Sequence, residues 1–222
     1  MSARMALTAA GLCMTLVAAC GSSASPSPSA QPVASAVASA AASGLAFDTA
    51  AAEKYCTDQG GMLVDRQATA NTNGDPAQYF PLAGKMRLCE FEEGTGAAPT
   101  RISVDLVTLY SEQPTLAGLA YLSKLMPPKT PTPSTNPAAY NCTTGLGGTR
   151  NFGNALASGG GWVDQSQKTF VVMNLCVFAD MSAIDEWGIF YYTDGTVRGA
   201  DLAKKMRYQP NGALPPVFTP QK

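Results

Sequence analysis

The chain has 222 residues, with 15 Lys and Arg against 16 Asp and Glu, no histidine, and a formal net charge of −1. Without histidine it can build neither a Ser-His-Asp or Cys-His nucleophile system nor any imidazole metal site. Balanced charge without a basic cluster excludes a nucleic-acid footprint and a polybasic membrane patch, so no nucleic acid is expected as a partner.

At the amino terminus Arg4 precedes an uncharged run, residues 5–19, of signal-peptide length. The run ends in Leu16-Val17-Ala18-Ala19-Cys20, which resembles the lipobox of bacterial lipoprotein precursors, where the cysteine thiol receives a lipid before cleavage. A membrane span needs roughly 20 apolar residues, and this run is short for one. The resemblance implies that residues 1–19 are removed as a signal peptide and that Cys20 carries a palmitate-type anchor. The chain would then sit on the extracytoplasmic face of the cell membrane, and loss of Arg4 takes its net charge to −2. Residues 20–45 are almost entirely Ser, Ala, Pro, Gly, Gln and Val, too poor in apolar bulk to offset ordering entropy. They read as a disordered tether, reaching roughly 25–30 Å as a coil.

Beyond the anchor stand Cys56, Cys89, Cys142 and Cys176. In an exported chain four cysteines favour two disulfides, with three possible connectivities. Their surroundings recur: Tyr55-Cys56 with Gly60-Gly61 beside Asn141-Cys142 with Gly147-Gly148, and Cys89-Glu90-Phe91 beside Cys176-Val177-Phe178. A shift of 81 aligns Leu116 with Val197, Gly118 with Gly199 and Leu125 with Met206. This reads as an internal duplication, with copies at 46–126 and 138–208, each stapled within itself as Cys56–Cys89 and Cys142–Cys176. Loops of that length make each bridge worth about 3–4 kcal/mol in the chain-entropy model. A zinc site lacks its Cys-x-x-Cys pairs, so neither metal nor cofactor is expected.

In the first copy Asp48 or Thr49 caps a helix through Cys56, stopped by Gly60-Gly61. Strands are expected at 62–66, 78–82, 87–91 and 102–110, with Asn73-Gly74-Asp75 as a turn. A helix at 115–126 carries Leu116, Leu119, Leu122 and Leu125 on one face. The proline-rich connector 127–137 follows. The second copy repeats the order with a poorer first helix, a turn at Gly159-Gly160-Gly161, strands at 169–178 and 184–192, and a helix at 196–207. Residues 209–222 form a proline-rich tail. The fold class is α+β: antiparallel sheet flanked by helices in two similar disulfide-stapled copies, each with its own sheet or sharing one.

Cys176-Val177-Phe178-Ala179-Asp180-Met181-Ser182 with Asp185-Glu186-Trp187, and Tyr55-Cys56-Thr57-Asp58-Gln59-Gly60-Gly61, resemble the motifs of a small exported domain that carries a hemolysin label. That domain has proline and glycine where this chain has Ala179 and Met181, and a further cysteine where Ala183 or Ile184 stands. The resemblance covers about a third of the chain and implies an exported domain, not a toxin.

Glu90, Glu92 and Glu93, and Asp180, Asp185 and Glu186, are the acids available for a paired-carboxylate mechanism; on alternating strands they read as a solvated face instead. Asn71-Thr72-Asn73-Gly74-Asp75 lacks calcium-loop spacing, and no Gly-Lys-Ser/Thr follows Gly161. No catalytic residue is assigned. Trp162, Trp187, Phe190 and Tyr192 are the candidate interaction surface, if a strand there turns one aromatic set outward; the competing reading buries them between sheet and helix. The expected role is a non-enzymatic envelope module that binds an envelope protein or glycan. The alternatives are a carrier or sensor of an apolar ligand, which needs a pocket lined by Val, Leu and Met, and a cell-wall glycan hydrolase, which needs two acids across a cleft.

Overall fold

Asp48 accepts a hydrogen bond from Ala51 N at 3.0 Å and so opens the first helix, α1 (Thr49–Asp58), which Gly60 ends in the left-handed region at φ 82°. The computed structural model describes residues 47–94, 100–150, 158–164, 166 and 172–218. The expected signal peptide, Cys20 and the tether lie outside the described residues, as do the last four residues of the tail and part of the strand expected at 169–178. The described residues belong to one compact unit, and no helix among them is long and apolar enough to cross a membrane.

After α1 come β1 (Met62–Ala70), β2 (Phe80–Glu93) and β3 (Thr100–Asp105), then two short helices, α2 (Leu106–Tyr110) and α3 (Leu116–Ser123). The connector leads into α4 (Pro137–Tyr140), whose first residue is the connector's last proline, and a single π turn over Asn141–Gly145. Then follow β4 (Thr149–Arg150), β5 (Gly160–Val163), β6 (Val172–Met173), β7 (Leu175–Val177), β8 (Ala183–Asp185), α5 (Glu186–Tyr192) and α6 (Leu202–Lys205). All eight strands form one antiparallel sheet in the order β4-β7-β8-β3-β2-β1-β5-β6. Only Asn174 separates β6, at the end of that order, from β7, next to its start, so the sheet curls until its ends meet.

The expectation of extended chain at 102–110 and 184–192 is corrected in both places by an aspartate. Asp105 accepts from Thr108 N at 2.9 Å, and Asp185 from Trp187 N at 2.8 Å and Gly188 N at 3.2 Å; each carboxylate satisfies free N–H groups of a first turn and switches strand to helix. The strands expected at 78–82 and 87–91 are one, β2, whose register against β1 shifts between Lys85 and Pro81, where Gly84 comes close to Ala68 and the Trp162 ring. The glycine turn is shorter than expected: Gly159 turns at φ 85°, but Gly160 and Gly161 are already in β5. The helix expected at 196–207 shrinks to α6, capped by Asp201, and Val197 lies outside any helix, so the shift of 81 does not match the elements.

The disulfides are Cys56–Cys89 and Cys142–Cys176, with Cα separations of 5.8 and 5.6 Å. Each bridge lies under a glycine. A Cβ on Gly61 would strike Cys89 Sγ and stand 3.0 Å from Cys56 Sγ; one on Gly148 would stand 2.5 Å from Cys176 Sγ and 3.1 Å from Cys142 Sγ. The ladders around them share a register. Met62 faces Glu90 and Leu63 faces Cys89, as Thr149 faces Val177 and Arg150 faces Cys176; Cys89 faces Val104 as Cys176 faces Ile184. Val104 and Ile184 face each other and join the two strand groups.

One face of the sheet packs on the helices, where both disulfides, Ile102, Val104, Ile184, Leu109, Tyr121 and Ile189 make the larger core. The inner face of the curl holds a smaller cluster of Ala68, Leu88, Trp162, Met173, Leu175, Val177 and Ala183. Because the sheet is shared, a chain cut in the 127–136 connector should stay together in size-exclusion chromatography under native, non-reducing conditions. Denatured without reductant it should part into two pieces, one with Cys56–Cys89 and one with Cys142–Cys176; a peptide map joining cysteines across the connector would contradict this pairing.

Candidate functional site

Strand alternation puts Arg66, Glu90, Ser103, Asp105 and Asp185 on the inner face with the smaller apolar cluster, and all five are buried. Arg66 reaches Glu90 with Nη2 2.6 Å from Oε2, both side chains having no exposure. Ser103 Oγ donates to the same oxygen at 2.7 Å, and Arg66 Nη1 donates to Trp162 O at 3.4 Å. Arg101, two residues from Ser103 on the same face, sets Nη1 3.7 Å from Glu90 Oε1 and Nη2 3.1 Å from Glu92 Oε1. Asp185 feels both the Glu90 charge and that of Arg198, whose guanidinium lies 5.2 Å from the Tyr191 ring centre. Next to it, Glu186 is held by Arg150 through Nε at 2.7 Å and Nη2 at 3.1 Å.

Burial pushes the Asp185 carboxyl up to about 6, against the opposing pull of the Gly188 and Trp187 N–H groups and of Arg198. Burial also raises Glu186, with Arg150 pulling the other way, and raises Asp105, which accepts from Ala183 N at 2.7 Å and Thr108 Oγ1 at 2.6 Å. Asp180, exposed at the β7–β8 turn, is instead lowered: its hydrogen bonds from Ser182 and Leu116 N outweigh its desolvation.

The solvated face expected for the acids is therefore corrected for Glu90, Asp185 and Glu186, which the curl and α5 enclose; Glu92, Glu93 and Asp180 remain exposed. Arg66, buried and paired with Glu90 from four residues farther along the ladder, carries no sequence signal beyond a charge at an inward position of an alternating strand, and sequence reasoning missed it. The candidate aromatic surface is split. Trp162 is buried in the curl, and Tyr192 is buried with its ring stacked 3.9 Å from that of Tyr121. Trp187 and Phe190 are half-buried and, at helical spacing, form a cluster with Tyr191.

Open grooves mark the surface of the described residues. One of about 610 Å³ runs between the connector and β4, lined by Ser134, Thr135, Asn136, Tyr140, Thr143 and Arg150 among others. A second of about 600 Å³ lies between the end of β2 and α6 and includes Glu92, Glu93, Asp201, Lys204 and Lys205. The third, about 320 Å³, lies along β1 and includes Asp65, Arg66, Lys85 and Asp164. Among the described residues no group of three or more Cys, Asp and Glu is placed to hold a metal ion. Compared with known proteins, the chain matches no family model, no curated protein and no solved structure.

Removing one partner of a fully buried ion pair leaves an uncompensated charge, at a cost of about 3–5 kcal/mol, whereas replacing both by apolar groups is close to neutral. Denaturant unfolding should therefore show Arg66→Met far less stable than Arg66→Met with Glu90→Leu; additive losses would contradict the pairing. The pH dependence has a definite sign. The folded Asp185 carboxyl titrates above its ordinary value of 3.8, so between about pH 6 and pH 4 the folded chain binds a proton that the unfolded chain does not. Its ionisation costs stability at neutral pH, and Asp105 and Glu186 act in the same direction. The melting temperature should rise from pH 7.5 to pH 5, and Asp185→Asn, which keeps an acceptor for Trp187 N and Gly188 N, should flatten that rise.

Proposed function

We propose that the chain is a lipoprotein held by Cys20 at a membrane surface outside the cytoplasm, where its folded part serves as a non-enzymatic binding module. The observation that carries this reading is the pair of buried disulfides, because such bridges form and persist in oxidising compartments and are rare in the cytosol. It agrees with a leader that ends in Ala18-Ala19-Cys20. The resemblance to the small exported domain gains a physical reason at Met181. That residue is exposed at φ 65° in the β7–β8 turn, a conformation that favours the glycine which the domain's motif carries there.

Internal duplication is part of the reading. Its support is the shared register around the two disulfides, the glycine packed on each bridge, and the aspartates that open α2 and α5 at matching ladder positions. Two strand groups joined at Val104 and Ile184 would be two copies completing one sheet.

The binding role draws on where polarity lies. The described grooves are open and mix polar with apolar surface, and the 610 Å³ groove offers Tyr140, Arg150 and several hydroxyl and amide groups to a partner such as a glycan or an envelope protein. The apolar-carrier alternative needs an enclosed pocket lined by Val, Leu and Met, whereas Leu88, Trp162, Met173 and Leu175 fill the curl with their own side chains. The hydrolase alternative needs two acids facing each other across an accessible cleft; Glu90, Asp185 and Glu186 are buried, and of the acids lining the groove at the end of β2, Glu92 is paired with Arg101 at 3.1 Å and Asp201 with Lys204 at 3.5 Å. In the native host, Cys20→Ser is expected to abolish labelling by a fatty-acid analogue and to move the protein out of the membrane fraction. Retention of the variant in carbonate-washed membranes would overturn the anchoring.

A further inference from the structure

The inner face carries its own comparison. Glu90 faces Ser103, which neighbours Asp185 through the Val104–Ile184 pair; in the matching positions Val177 faces Ala183, which neighbours Asp105. Likewise Arg66 faces Met86, and Trp162 faces Met173. Positions filled by Glu, Ser and Arg in one half are thus filled by Val, Ala and Trp in the other. Apolar side chains satisfy this scaffold, and a buried ion pair adds little net stability over them, so the charged set exceeds what packing requires.

A second observation concerns unmet hydrogen bonds. Glu90 has no exposed surface, yet its Oε1 accepts no hydrogen bond. Arg101 Nη1 stands 3.7 Å away, too far to donate to it, and is itself buried without a partner, as is Arg198 Nε. Leaving such groups unmet costs about 1–3 kcal/mol each, and proteins meet that cost with internal water bonded to two to four polar groups. An N–H donor beside a carboxylate acceptor suits a molecule that both accepts and donates.

We propose that the Glu90 row of the curl binds internal water, one or two molecules, bridging Glu90 Oε1 to Arg101 Nη1. Glu90 has no exposed surface, so water held there exchanges only when the structure opens locally, and it is long-lived.

Oxygen-17 relaxation dispersion on the full chain is expected to detect long-lived water, with an amplitude that falls in Arg66→Met with Glu90→Leu. An unchanged amplitude in the folded variant would overturn the proposal. A high-resolution crystal structure of the unsubstituted chain gives a test that does not depend on the variant's folding. Density for a water at hydrogen-bond distance from both Glu90 Oε1 and Arg101 Nη1 supports the site. Arg101 closed directly onto Glu90 with nothing between them, or density for an ion or a larger molecule, would refute it.

Discussion

The antiparallel pairing of β3 with β8 at Val104 and Ile184 is the contact on which the architecture depends. It joins strands far apart in the chain, and together with the β1–β5 ladder, where Gln67 faces Val163 and Ala70 faces Gly160, it produces the curl and the enclosed polar row. Such a long-range pairing carries a loop-closure cost that local contacts do not. The Cys142–Cys176 bridge lowers the cost, since it lies between the two paired residues in the chain and shortens the loop that must close. Asp105 reinforces the junction by accepting from Ala183 N across it while also opening α2, so one carboxylate serves both strand pairing and helix entry.

Around this junction the molecule separates its apolar and charged interiors. The helix side is a conventional core in which the bridges, Ile102, Val104, Ile184 and Leu109 exclude water. The inner face mixes Leu88, Trp162 and Met173 with Arg66, Glu90 and Asp185. A buried charge cluster is weak as a source of stability but exacting about geometry, because every member must find its partner or leave an unmet charge.

That arrangement bears on how the chain could act outside the cytoplasm. The curl is occupied by its own side chains, and the accessible polar surface lies in the grooves beside β4, β1 and the end of β2. Binding at a surface groove would suit the tethered module proposed above, since the disulfides brace the scaffold that carries the grooves and the proposed tether would supply the reach.

Local chemistry made part of this legible in the sequence. Matched cysteine spacing and repeated glycines sufficed for the pairing of Cys56 with Cys89 and Cys142 with Cys176, and the cap at Asp48 with the stop at Gly60 sufficed for α1. The α+β class with antiparallel sheet followed from alternating strand runs between capped helices. Tertiary structure alone decided where β3 and β8 give way to helix, because Leu106–Tyr110 and Glu186–Tyr192 are rich in apolar and aromatic residues compatible with a strand, and only the folded aspartates tip the balance. It alone decided that Glu90 and Asp185 are buried and that Trp162 and Tyr192 are not surface. Alternation says which side chains share a face, whereas enclosure depends on the sheet curling back on itself through contacts between residues distant in the chain.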